Sequence, residues 1–138
     1  MSESAIHAGL VQALIVFAEQ ELGNLLSLAL RDDSVRPLRG ERPPRIHGFV
    51  PDLFATDVPT TRTLIGEAKT KADLETDRSQ QQIFAFLRYL SQTPQGIFAL
   101  SVPPSSGATA RRLVARLNAP FAAAPTYAFV IDGISSGC

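Results

Sequence analysis

Apolar residues at Ile6, Leu10, Leu14, Phe17, Leu25 and Leu28 recur at helical spacing, which predicts a first helix over residues 4–30 with one buried face. Gly23 weakens or bends that helix, so its end is expected within several residues of this limit. Residues 31–44 are polar and rich in Arg and Pro, the composition of a surface loop. Residues 45–56 and 63–70 read as two strands joined by the hairpin connection 57–62, and Pro51 argues for an edge or a bulge in the first of them. A charged connection over residues 71–77 leads to a helix over 78–92, with Asp77 as its N-cap and Pro94 and Gly96 as its stop. Residues 96–102 form a continuous apolar run, expected of a central strand covered on both faces. A loop over 103–107, a short helix over 108–117, a last strand over 126–131 and a small polar, flexible tail over 133–138 complete the chain. With residues 45–56 split into two strands around Pro51, the order is α-β-β-β-α-β-α-β. It predicts an α/β fold with a mixed central β-sheet flanked by helices. No internal repeat is visible.

The 138 residues fit a single domain spanning residues 1–138, and 45% apolar residues suffice to bury a core. Thirteen basic and 13 acidic residues balance, so any affinity for nucleic acid must come from a local patch. Cys138 is the sole cysteine; it excludes an internal disulfide and a thiolate zinc site, and fits a reducing compartment. The apolar stretch 5–17 is interrupted by His7, Gly9 and Gln12 and lacks a basic start. It reads as neither signal peptide nor membrane span, and a cytoplasmic protein is expected.

Candidate chemistry concentrates on the two strands after the loop. Residues two apart share a strand face, so Glu67 and Lys69 project together with Ile65, while Leu64, Gly66 and Ala68 point the other way. Lys69 and Lys71 are the only lysines beside 11 arginines, which makes a lysine two residues after a carboxylate a costly coincidence. Pro51-Asp52 lies on the preceding strand. Pro51-Asp52 followed by Glu67-Ala68-Lys69 resembles the PD-(D/E)XK nuclease superfamily, and the likeness covers most of the chain. Gln82-Ile83-Phe84-Ala85-Phe86 is similar to the Gln-apolar-x-x-aromatic pattern that RecB-like and Holliday-junction-resolvase-like groups place on the following helix.

The resemblance implies a restriction-endonuclease-like fold with an α-β-β-β-α-β core. It also implies a metal-dependent endo- or exodeoxyribonuclease hydrolysing DNA phosphodiester bonds. Magnesium, with Mn²⁺ as a substitute, prefers oxygen ligands and keeps several waters. Asp52, Glu67 and the Ala68 carbonyl would be its protein ligands, and Lys69 would position or activate the attacking water. Many members add an acid from the first helix, here Glu19 or Glu21. Glu21 falls inside the arc of the apolar stripe and is the better placed of the two. Gln82 flanks the stripe of Ser79, Ile83, Phe86, Leu87 and Leu90, whereas Gln81 points away, so Gln82 is placed to reach the site. Arginines available for phosphate contact include Arg42 and Arg45 in the loop group Arg36, Arg39, Arg42 and Arg45. Arg112 stands in the group Arg111, Arg112 and Arg116, and Arg78 is on the flank of Gln82. His7 and His47 lie in no ligand spacing and are read as structural.

Other readings stand beside this one. Asp52 as a turn acid with Glu67 and Lys69 as a surface pair would give a small α/β protein without a nucleic-acid role. A nuclease fold without turnover would serve as a subunit or nucleic-acid-binding module of a larger complex, which the neutral charge favours. A homodimer would bring two sites together, as double-strand cutting requires.

Overall fold

The computed structural model describes residues 2–23, 28–34, 36–57, 61–121 and 126–133. Helix α1 (Ser2–Leu22) is followed by strands β1 (Leu28–Asp32), β2 (Leu53–Asp57) and β3 (Thr63–Ala68). The short helix α2 (Lys71–Leu74), α3 (Asp77–Ser91), β4 (Gly96–Ser101), α4 (Gly107–Asn118) and β5 (Tyr127–Ile131) complete the order. The five strands form one mixed sheet in the order β1-β2-β3-β4-β5. β1, β2 and β3 make an antiparallel meander, and β4 and β5 add in parallel through α3 and α4. The fold is α/β, with the sheet flanked by helices on both faces.

Alternation along the strands sorts the core into two layers. Leu64 and Ala68 of β3, Leu53 and Ala55 of β2, and Ile97 and Ala99 of β4 face α1 and meet Leu14, Ala18 and Leu22. Ile65, Phe98 and Leu100 face the other way, onto Ile83, Phe86, Leu87 and Leu90 of α3 and Ala110, Leu113 and Val114 of α4. β3 and β4 are buried along their whole length, β4 as its nearly continuous apolar sequence requires and β3 with Thr63 and Glu67 carried into the interior. At Gly96 the backbone passes so close to the end of α3 that an added Cβ would lie 2.6 Å from the Leu90 carbonyl oxygen. Only glycine lets the chain turn from α3 into the central strand there.

Several boundaries differ from the sequence reading. The first helix ends at Leu22 rather than near residue 30, because Gly23 takes φ +117° and its N–H bonds the Glu19 carbonyl at 3.1 Å, a left-handed C-terminal stop. Residues 28–32, assigned by spacing to helix and loop, form strand β1. The third strand of the meander therefore comes from this segment and not from splitting residues 45–56. Within 45–56 only Leu53 onward joins the sheet, while Ile46 and Phe49 close a tight turn by reciprocal N–H to carbonyl bonds of 2.7 and 2.9 Å. Pro51 precedes β2, where its missing N–H costs no ladder bond. The cap of α3 is Thr76, whose side chain accepts from Ser79 N–H, instead of Asp77. The expected charged connection carries α2, closed by a reciprocal capping box between Thr70 and Asp73. The tail beyond Gly133 lies outside the described residues.

The end of the β2–β3 hairpin is locked to the end of α1. Asp57 accepts from the N–H groups of Thr61 and Arg62, both at 2.8 Å, and from Thr61 Oγ1 at 2.6 Å. Arg62 Nε approaches it at 3.1 Å, while Arg62 Nη1 donates to the Glu21 carbonyl at 2.8 Å, satisfying an open carbonyl of the helix end. Burial would raise the Asp57 pKa, but these hydrogen bonds outweigh it and hold the carboxyl well below the usual range. A depressed pKa contributes stability above the ordinary aspartate value and loses it as pH falls through the folded one. Asp57→Ala is expected to cost about 1–3 kcal/mol at neutral pH. In urea titrations read by circular dichroism, the difference from wild type should shrink steadily under acid conditions.

Candidate functional site

Strand direction determines what meets at the C-terminal end of β3. Because β2 runs antiparallel, its entrance at Asp52 stands beside the exit of β3 at Glu67-Ala68-Lys69, and the register pairs Leu53 with Gly66 just before it. Beyond that pair the side chains take over the hydrogen bonding. Asp52 N–H donates to Glu67 Oε1 at 2.9 Å, and Ala68 N–H donates to Asp52 Oδ2 at 2.8 Å. Lys69 N–H, in turn, continues the parallel pairing by donating to the Ser101 carbonyl at 3.0 Å.

The side chains of Glu67 and Lys69 share the α3 face, as period-2 geometry requires. Lys69 Nζ lies 3.4 Å from Glu67 Oε2 and donates to Gln82 Oε1 at 2.5 Å. Gln82 thus reaches the pair from α3, the role its helical flank assigned to it. Glu67 is 2% exposed. Desolvation, then the neighbouring Asp52 charge, drives its pKa well above the usual carboxylate range, against the opposing pull of Lys69.

From the other layer, α1 supplies a residue that sequence reasoning set aside. His7 Nε2 lies 3.4 Å from Asp52 Oδ1, and that carboxylate raises the imidazole pKa despite partial burial. The stripe that α1 presents to the sheet runs through His7, Val11, Leu14, Ala18 and Leu22. Drawing it through Ile6, which is 50% exposed, rotated His7 out of view. The spacing 7-11-14-18-22 was the signal that could have found it.

The first-helix acids are not brought to this cluster. Glu21 sits at the far end of α1, where its carbonyl holds Arg62, and Glu19 is exposed one half-turn away. His7 precedes Glu21 by 14 residues, about 21 Å of helix. The expectation that Glu21 joins Asp52 and Glu67 is therefore corrected: α1 enters the sheet's site end with its first turns and leaves at the opposite end. The arginines are likewise dispersed. Arg42 Nη1 pairs with Asp33 Oδ1 at 3.2 Å within its loop, and Arg45 Nη1 donates to the Gly48 carbonyl at 3.0 Å. Arg112 is exposed on α4 with Thr109 Oγ1 at 3.5 Å, and Arg78 lies over the Phe49 ring, 5.2 Å from its centroid.

Comparison with family models, with curated proteins and with solved structures finds no match to this chain. Among the described residues no group of three or more His, Cys, Asp or Glu side chains is arranged to hold a metal ion. The donor set is instead two carboxylates at a strand junction. They suit a hard cation that keeps most of its waters, since a buried glutamate beside a second carboxylate lacks a full counter-charge. No helix among the described residues is long and apolar enough to cross a membrane.

Two titrations follow from this geometry. Glu67, with its pKa raised on folding, contributes stability below the ordinary glutamate range that is lost as pH rises through the folded value, and His7 acts in the same direction. The thermal midpoint in EDTA is expected to fall from about pH 5 to about pH 8, and Glu67→Gln should remove most of that slope. Followed by NMR, His7 should titrate above its ordinary range, and Asp52→Asn should bring it down. A pH-independent midpoint, or an unmoved His7, would contradict the contacts described.

Proposed function

We propose that this chain is a metal-dependent nuclease of the PD-(D/E)XK type that hydrolyses DNA phosphodiester bonds. The observation that carries the reading is the junction itself. Asp52, Glu67 and Lys69 converge where β2 enters and β3 leaves the sheet, and Gln82 reaches Lys69 from the crossover helix. The order α-β-β-β-α-β, with antiparallel pairing through β3 and parallel pairing to β4, supports the same reading.

In this function Asp52 and Glu67, with the Ala68 carbonyl, would hold Mg²⁺ or Mn²⁺. That ion would supply charge neutralisation at the phosphate and would acidify a water. Glu67 is locked by the Asp52 N–H, and Asp52 by the Ala68 N–H, so both carboxylates are oriented before any ligand arrives. Lys69, 12% exposed along its side chain, offers its ammonium from the protein side. Its N–H groups can hold the attacking water in line and draw negative charge at the phosphoryl oxygens, while Gln82 restricts its rotamer. Water adds to phosphorus and gives up one proton to solvent as one P–O bond breaks, and the departing oxygen takes a proton from solvent. Glu21 is too distant to share this work, and His7 is the group of α1 that faces Asp52.

A second reading, a nucleic-acid-binding module without turnover, is favoured by a different observation. Each oxygen of Asp52 and Glu67 already faces an N–H, the Lys69 side chain or the His7 imidazole, so both acids have partners within the chain without a ligand. The two separate in one assay: supercoiled, linear, single-stranded and branched DNA incubated with Mg²⁺, Mn²⁺ or EDTA. Metal-dependent cutting is expected from wild type, with a loss of about 100-fold or more in both Asp52→Ala and Lys69→Ala variants that retain the wild-type circular dichroism spectrum. Wild-type inactivity on every substrate would remove the enzyme and leave the binding module. A monomer by light scattering, with and without DNA, would exclude the homodimer.

A further inference from the structure

The turn just before Asp52 carries two guanidinium groups that the cluster does not use. Residues 46–49 close by reciprocal hydrogen bonds between Ile46 and Phe49, and both central residues take positive φ, His47 at +50° and Gly48 at +86°. A non-glycine residue in that region is uncommon and persists only where its surroundings hold it. Here the holding groups are visible. Ile46 is buried, Phe49 packs edge-on against Phe86 of α3 with centroids 6.4 Å apart, and Arg45 Nη1 bonds the Gly48 carbonyl. The turn is thus a rigid projection from the α3 layer, with His47 and Gly48 exposed at its tip.

Arg78 lies across the same turn. Its guanidinium stands 5.2 Å from the centroid of Phe49, and among the described residues it makes no hydrogen bond or ion pair. The side chain is exposed, so its donors face solvent while the ring fixes its plane. Arg45 is tied to Gly48 and Arg78 to Phe49, which sets two cations on adjacent residues of one turn in a chain of zero net charge. Both members of the stacked pair are also tethered to the cluster. Phe49 precedes Asp52 by three residues, and Arg78 precedes Gln82 by one helical turn on the same face of α3. A rigid, desolvated-on-one-side guanidinium with unused donors is the group that binds phosphate oxygens at least entropic cost.

We infer that Arg78, stacked on Phe49 and backed by Arg45, grips the backbone phosphate of a nucleic-acid strand next to the one that would be cleaved beside Asp52 and Glu67. The grip rests on the nuclease reading for its substrate. It adds the path of the strand, over the 46–49 turn and along the first turns of α3. A phosphodiester chain is distinguished from a free phosphate by engaging the turn and the carboxylate cluster together.

The test is fluorescence anisotropy of fluorescein-labelled single-stranded and duplex oligonucleotides, with Ca²⁺ in place of Mg²⁺ to suppress cutting, over a range of salt concentrations. Arg78→Ala is expected to weaken binding about tenfold and to lower the log–log salt slope by about one. Phe49→Leu keeps the charge but removes its platform, and is expected to weaken binding about two- to fivefold. Arg88→Ala, an equal loss of charge about 15 Å further along α3, should change affinity less than about twofold. If wild type binds and Arg78→Ala binds equally with the same slope, the grip is overturned and the nuclease reading stands. If wild type binds neither oligonucleotide even at low salt, both fall. Displacement of the probe by inorganic phosphate at constant ionic strength would also overturn the grip, by showing an isolated anion site.

Discussion

Two hydrogen bonds organise the site end of this sheet, one from the Asp52 N–H to Glu67 and one from the Ala68 N–H to Asp52. They stand where the β2–β3 ladder would otherwise continue, so each carboxylate does the work of a backbone carbonyl on the opposite strand. Neither acid can leave without orphaning an N–H of the other strand, a loss that costs more than an ordinary hydrogen bond contributes. Glu67 consequently stays in a desolvated position that a free glutamate would avoid. Lys69 and Gln82 on one side of the sheet, and His7 on the other, are arranged around a charge that the strand junction holds in place.

How much of this could be read from the chain depended on whether the controlling signal was local. The crossover helix and the central strand were legible because Ser79, Ile83, Phe86, Leu87 and Leu90 keep strict helical spacing and residues 96–102 are apolar without a break. The faces of Glu67 and Gln82 followed from period alone. Strand β1 was not legible. Leu25 and Leu28 continue the helical spacing of α1, and only the left-handed turn at Gly23 interrupts it. His7 was missed for a related reason: a shift of one residue in the assumed stripe moves the helix face by 100°. The pairing of Glu21 with Arg62 depends on contacts across some 40 positions, which no local pattern reports.

Charge balance in this protein is largely internal. Arg42 serves Asp33, Arg62 bridges Asp57 to the end of α1, and Arg111 holds the buried Asp132 at 3.0 Å. These arginines act as structural cross-links, each satisfying a carboxylate or a helix carbonyl that the fold leaves open. A count of basic residues therefore overstates the cationic surface. The distinction between a guanidinium bonded within the chain and one stacked on an aromatic ring, with its donors outward, is set by the fold and is invisible to composition.

Helix α1 has a consequence for how the chain comes to be built. Its apolar face is covered by β2, β3 and β4 and, at Phe17, by Phe129 of β5, all of which follow it in the sequence. During synthesis more than 100 residues must be added after α1 before its partner surface is complete. Until then the helix has nothing of its own to dock against, and its leucines face water, chaperones or other nascent chains. The contact of His7 with Asp52 spans some 45 positions and is secured only with that closure.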